Sequence, residues 1–198
     1  MTPFLRQRLV PAILLLVAMT MVTGVIYPAV VTAVAQVAFP SQANGSLIVV
    51  DGKTVGSSLI GQAFSDPGYL WGRPSYAGVT PSNPSGYDAG NSGGSNLGPT
   101  SRALIDAVTA RVDALRMANG GGPVPVDLVT GSASGLDPQI SPVAAAYQVD
   151  RVAKARSMTP AAVSAVIARY TTQPLLGFLG EPAVNVLEVN LALDGLLR

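Results

Sequence analysis

An apolar run from Leu9 to Val31 (LVPAILLLVAMTMVTGVIYPAVV) constrains this chain more than any other feature, and no charged residue occurs between Arg8 and Asp51. As a helix, its roughly 23 residues span about 35 Å, enough to cross a bilayer with some tilt. A cleaved signal peptide is the rival reading, because Arg6 and Arg8 make a basic start and Ala33-Val34-Ala35 has the A-x-A form. A signal h-region runs only about 7–15 residues. Here the run is longer, and Pro28 lies inside it, well short of that site. The stretch therefore reads as a retained anchor. It divides the chain into an N-terminal segment 1–8, a transmembrane helix 9–31, a linker 32–45 and one soluble domain 46–198.

Orientation follows from charge. Arg6 and Arg8 abut the N-terminal end of the helix, whereas the first basic residues beyond it are Lys53 and Arg73. The positive-inside rule keeps residues 1–8 in the cytoplasm and sends the domain outside, as expected of a single-pass protein of the inner (plasma) membrane. Along the helix, Leu16, Thr20, Thr23, Gly24 and Tyr27 recur at helical spacing. Small and hydroxylated residues in such a stripe let helices approach closely in lipid, so Thr20, Thr23, Gly24 and Tyr27 are candidate partner contacts. A lone anchor that merely tolerates Thr and Gly is the alternative.

Composition removes several classes of chemistry. The net charge of +1 gives no pull toward nucleic acid. There is no cysteine, so neither disulfides nor thiolates are available, and there is no histidine. The usual Ser-His-Asp and Cys-His machinery and most zinc sites are thereby excluded.

In chain order, two short apolar-rich segments flank Asp51-Gly52, a favoured hairpin pair. Gly52-Lys53-Thr54 resembles the end of a P-loop, but Leu47 stands where that motif needs its first glycine. Most residues from Gly72 to Ser101 are Gly, Pro, Ser or Asn, with Tyr76 and Tyr87 interleaved. Such a segment is a structural loop anchored by its aromatics or a binding loop. In the second case Ser92, Gly93, Gly94, Ser95 and Asn96 would offer successive backbone N–H groups to an anion.

Thr100 or Ser101 caps a predicted helix with Leu104, Val108, Val112 and Leu115 on one face, ending near Asn119-Gly120. Residues 124–130 read as a short strand. Ser141-Pro142 opens a helix to about Arg156, and Thr159-Pro160 opens another that Pro174 closes. For 183–194 the alternation of Leu187, Val189, Leu191 and Leu193 favours a strand, while the Leu, Ala and Glu content favours a helix. The expected fold is an α+β extracytoplasmic domain with long Gly/Pro-rich loops, anchored by one N-terminal transmembrane helix.

Asp66, Asp88, Asp127, Asp137 and Glu181 all lie in loops or at element ends, where turn and cap roles are the economical reading. Arg73 is a candidate for binding an acidic group on a partner, against the commoner surface ion pair.

Four blocks carry a resemblance: Trp71 to Ser75 (WGRPS), Ser92 to Thr100 (SGGSNLGPT), Ser132 to Pro142 (SASGLDPQISP) and Leu179 to Leu187 (LGEPAVNVL). Gln148-Val149 and Arg151-Val152-Ala153 fit the same pattern. Together with the anchor, they resemble the C subunit of the Kdp-type potassium-transporting ATPase over nearly the whole chain. Ala183 departs from the pattern, since an arginine often follows Glu-Pro there.

The resemblance implies a non-catalytic accessory subunit of a high-affinity potassium uptake pump. Its partners would be a potassium-conducting subunit, an ATP-hydrolysing subunit and membrane lipid, with no nucleic acid. It further implies a catalytic chaperone with no cofactor of its own, which raises ATP affinity in a transient complex through a glutamine matched here to Gln148. A domain placed outside reaches cytoplasmic ATP only indirectly, by shifting its partners' conformational equilibrium. The other readings are a direct nucleotide-binding module using residues 92–96, and an unrelated membrane-anchored envelope protein.

Overall fold

Proline governs the shape of the N-terminal helix. In the computed structural model, which describes residues 3–197, α1 (Pro3–Met21) passes into a π-turn (Val22–Ile26) and then into α2 (Tyr27–Ala38). Pro28 has no N–H, and in a regular helix its ring would press on the carbonyl of Gly24. The widened turn lies just ahead of it, with the Tyr27 N–H reaching back to the Val22 carbonyl. The apolar helix Arg6–Ala38 is 33 residues long and contains an 18-residue stretch of mean hydropathy 2.5. At about 50 Å it exceeds the roughly 30 Å hydrocarbon core, so length and composition suffice for one membrane crossing.

The helix outruns the expected 9–31 because residues 32–38 are alanine-rich and apolar. The first part of the expected linker is therefore helical. Phe39, out of helical conformation at φ −139° and ψ 57° before Pro40, ends it, and one turn of α3 (Pro40–Ala43) follows. Met1, Thr2 and Arg198, at the ends of the expected N-terminal segment and soluble domain, lie outside the described residues. The chain divides into two units, 1–47 and 48–198.

The second unit mixes α and β. Strands β1 (Leu47–Val50) and β2 (Lys53–Ser57) pair across Asp51 and Gly52, whose φ angles of 49° and 77° are those of a type I′ turn. After residues 58–101, without helix or named strand, comes α4 (Arg102–Asn119). Ser101 precedes it and Gly120, at φ 81°, closes it.

Residues 124–130 are not a strand. A 3-10 turn (Val126–Leu128) forms instead, because Pro123 and Pro125 lack ladder donors and the Asp127 carboxylate accepts the Ser141 N–H at 2.7 Å.

Ser141 caps α5 (Pro142–Tyr147), and after a break at Gln148 the chain continues as α6 (Val149–Arg156). Thr159 caps α7 (Pro160–Arg169), which ends before the expected Pro174 because residues 171–172 are drawn into a sheet. That sheet has the order β3 (Gln139–Ile140), β5 (Ala183–Asn185), β4 (Thr171–Thr172), antiparallel throughout, with Ile140 and Thr171 both opposite Val184.

The ambiguity over 183–194 resolves as both structures in succession. Asn185 ends β5 and caps α8 (Val186–Leu193), its side chain accepting the Glu188 N–H at 3.1 Å. Leu70, Val152, Val163, Val184 and Val189 are fully enclosed at the centre of the core.

Candidate functional site

The segment 66–73 belongs to no sheet, yet Leu70 is 0% exposed, so its peptide groups need partners. Two carboxamides supply them. Asn190 of α8 accepts the Leu70 N–H at 2.8 Å and donates to the Leu70 carbonyl at 3.0 Å. Gln148, at the junction of α5 and α6, accepts the Trp71 N–H at 2.9 Å and donates to the Trp71 carbonyl at 3.1 Å. Each amide thus imitates a strand's edge for one residue.

The break in the helix is part of this device. Gln148 has φ −99° and ψ −5°, and its backbone N–H bonds Ala145 instead of Ala144. The Ala144 carbonyl accepts from the Gln148 side chain at 3.2 Å. Side chain has replaced backbone within one helical turn.

Two arginines extend the clamp. Arg151 donates to the carbonyls of Pro67 and Tyr69, to Asn119 Oδ1 and to Gln148 Oε1, and lies 3.9 Å from the Trp71 ring centroid. Burial pushes its guanidinium down to about 10, with Asp66 opposing, and it remains charged at neutral pH. Arg156 donates to the Gly68 and Leu193 carbonyls and pairs with Asp194 at 2.7 Å, while the Tyr69 hydroxyl donates to the same aspartate.

Arg73 turns inward. It pairs with Asp137 at 3.1 Å and donates to the carbonyls of Thr130 and Gly131. The Arg73–Asp137 pair lines a groove of about 330 Å³ with Asp127, Gln139 and Glu181. Asp137 and Asp127 hold the outward N–H groups of Gln139 and Ser141, and Asp66 and Asp88 accept from Gly68 and Gly90. These are the turn and cap roles. Among the described residues no His, Cys, Asp or Glu group is arranged to hold a metal ion.

The glycine-rich loop is ordered by contact with residues 132–135. The Gly93 N–H and the Ser92 hydroxyl both donate to the Ser134 carbonyl, and a Cβ on Gly135 would meet the Gly93 carbonyl at 2.5 Å. A central donor of the expected anion nest is therefore engaged by the protein. Gly94 and Ser95 are half-buried, and Asn96 is exposed at φ 51°.

Two tyrosines give opposite predictions. Tyr87 donates to the Arg73 carbonyl at 2.6 Å, and burial, ahead of the neighbouring Asp137, pushes its hydroxyl up to about 12. Its folded value lies above the ordinary 10, so its contribution is intact below pH 10 and lost as pH rises from there toward about 12. Tyr87→Phe should cost about 1–2 kcal/mol at neutral pH and flatten the alkaline fall in stability measured by thermal unfolding. Among the described residues the buried Tyr76 hydroxyl has no hydrogen-bond partner; its ring packs against Gly131 and lies 5.3 Å from the Arg111 guanidinium. Tyr76→Phe should be neutral or raise stability by up to about 1 kcal/mol in the same assay.

In the N-terminal helix, the Thr23 hydroxyl donates to the Met19 carbonyl at 2.7 Å. Thr20 and Gly24 are neighbours, with the Thr20 methyl 3.9 Å from where a Gly24 Cβ would stand. The π-turn adds a residue between Thr20 and Tyr27, carrying Tyr27 about 100° off their face. The expected stripe is thus shorter than its spacing suggests.

Sequence reasoning passed over Asn190, Arg151 as an anchor, and Arg156. A signal existed for the first, since Asn190 stands between Val189 and Leu191 in the mostly apolar segment Val186–Leu193.

A family model described as K+-transporting ATPase, c chain, matches residues 9–195. The chain is 57% identical over 188 residues to the potassium-transporting ATPase KdpC subunit of Methylococcus capsulatus, covering 94% of this chain and 96% of that one. It is 56% identical over 194 residues to the subunit of the same name from Polaromonas naphthalenivorans, covering 97% and 96%. With that of Dechloromonas aromatica the identity is 55% over 196 residues, covering 98% and 100%.

Proposed function

The chain belongs to the K+-transporting ATPase c-chain family, and on that premise we propose how it serves the pump. It is a non-catalytic accessory subunit of an ATP-driven potassium uptake complex, partnered by the potassium-conducting and the ATP-hydrolysing subunits. One observation carries this: the match spans both the apolar helix and nearly all of the second unit. A tagged full chain extracted from membranes should bring both large subunits with it. Isolation of the chain alone under conditions that keep the pump intact would overturn the reading.

In this reading the N-terminal helix stays in the inner membrane, with residues 1–8 cytoplasmic and the second unit outside; Arg6 and Arg8 support it. A reporter fused after Arg198 should be active only outside the cytoplasm, and cytoplasmic activity would refute the orientation. The gain in ATP affinity then passes through the partners' conformational equilibrium. The internal engagement of Gln148 and Gly93 supports this indirect route. A photoreactive ATP analogue should leave the full chain alone unlabelled, while adding the chain lowers the pump's KM for ATP. Saturable labelling of residues 92–96 would favour direct binding instead.

A further inference from the structure

Loop 174–180 presents four large apolar side chains to solvent: Leu175, Leu176, Phe178 and Leu179 are 69%, 76%, 72% and 50% exposed. Such a cluster is costly in water and marks a surface that something covers. The loop is also closed on itself. Leu175 and Leu179 exchange both backbone hydrogen bonds at 2.9 Å, and the N–H groups of Gly177 and Phe178 donate to Pro174 and Leu175. Leu176 and Gly177, at φ 56° and 81°, make the tight reversal. Satisfied backbone donors under an apolar tip suit a surrounding that offers few hydrogen bonds of its own.

Charge and area narrow the occupant. No charged residue occurs between Arg169 and Glu181, so the tip has no sign preference. The four side chains expose on the order of 500 Å², short of the roughly 800 Å² per partner that a free-standing protein interface needs. A convex tip of this size needs no matching cleft in lipid. A domain tied by its own chain to a membrane-crossing helix also needs only a weak added contact, because the tether raises the effective concentration of the surface.

We propose that loop 174–180 dips into the interfacial region of the bilayer and forms a second point of membrane contact for the domain. The inference rests on the N-terminal helix being a retained anchor, but not on which side the domain lies.

The chain lacks cysteine, so single labels can be placed cleanly. Leu176→Cys and Phe178→Cys, each carrying an environment-sensitive fluorophore, should be compared with Met117→Cys, at a site 81% exposed on α4. The full chain is reconstituted in vesicles of phosphatidylethanolamine and phosphatidylglycerol. The two loop labels should shift to the blue, become several-fold less accessible to iodide than the Met117 label, and be quenched by nitroxide lipids. Loop labels as accessible as the Met117 label would overturn the inference. So would protection that appears only when the other pump subunits are added, which would assign the loop to a protein partner. Failure of the chain to remain with the vesicles would instead refute the retained anchor, and an unchanged circular-dichroism spectrum verifies that each labelled chain is folded.

Discussion

Gln148→Ala should lower the stability of the full chain by about 3–5 kcal/mol, seen as a fall in Tm of roughly 10 °C in detergent. The side chain is 0% exposed and makes four kinds of contact: to the Trp71 N–H, the Trp71 carbonyl, the Ala144 carbonyl and the Arg151 guanidinium. Truncation leaves two donors, the Trp71 N–H and an Arg151 N–H, and the Trp71 and Ala144 carbonyls short of partners, each costing about 1–3 kcal/mol in part, and adds a cavity. The result also separates two roles for this glutamine. A residue reserved for nucleotide would leave Tm unchanged on truncation and raise only the KM for ATP. A clamp residue lowers Tm in the isolated chain, and any loss of pump activity follows from that.

What the sequence made legible divides along local and non-local lines. The type I′ hairpin at Asp51-Gly52, the caps at Ser141 and Thr159 and the stop at Gly120 came through, because each is encoded within a few residues. Residues 124–130 and 183–194 did not. Their state depends on Asp127 reaching Ser141 and on Val184 lying between Ile140 and Thr171, contacts that periodicity cannot register.

The candidate site shows the same division more sharply. Its blocks could be recognised in the sequence, but their purpose could not. Trp71 to Ser75 leads into the stretch 72–101 that reads as either a structural or a binding loop, because no neighbour in sequence explains its glycine and arginine. Its distant partners lie 60 to 77 residues away, in Gly135, Asp137 and Gln148. Ser75 illustrates this: its hydroxyl donates to the Gly135 carbonyl at 2.6 Å and accepts the Tyr87 N–H at 2.8 Å, joining three of the irregular segments. A chain with short strands and long loops meets its backbone hydrogen-bonding requirement through side chains, and that leaves little periodic trace.

Arg151→Lys, which keeps the charge, should nevertheless cost about 3 kcal/mol or more, close to the effect of Arg151→Ala. Arg151 is 9% exposed and reaches four separate acceptors, the Pro67 carbonyl at 2.6 Å and the Tyr69 carbonyl at 3.0 Å from a single nitrogen. It does so from a flat cation 3.9 Å from the Trp71 ring centroid. An ammonium has neither the planar face nor the fork, and is more strongly hydrated, so burying it costs more while fewer acceptors are satisfied. Because Arg151 and Gln148 share a hydrogen bond and both hold the same segment, their effects should not add. Once Gln148→Ala has loosened residues 70–71, Arg151→Lys should cost less than it does alone, by about 1 kcal/mol or more in a double-mutant cycle on thermal or urea unfolding. Strict additivity would mean that the two side chains hold residues 66–73 independently, and the clamp would not be a single device.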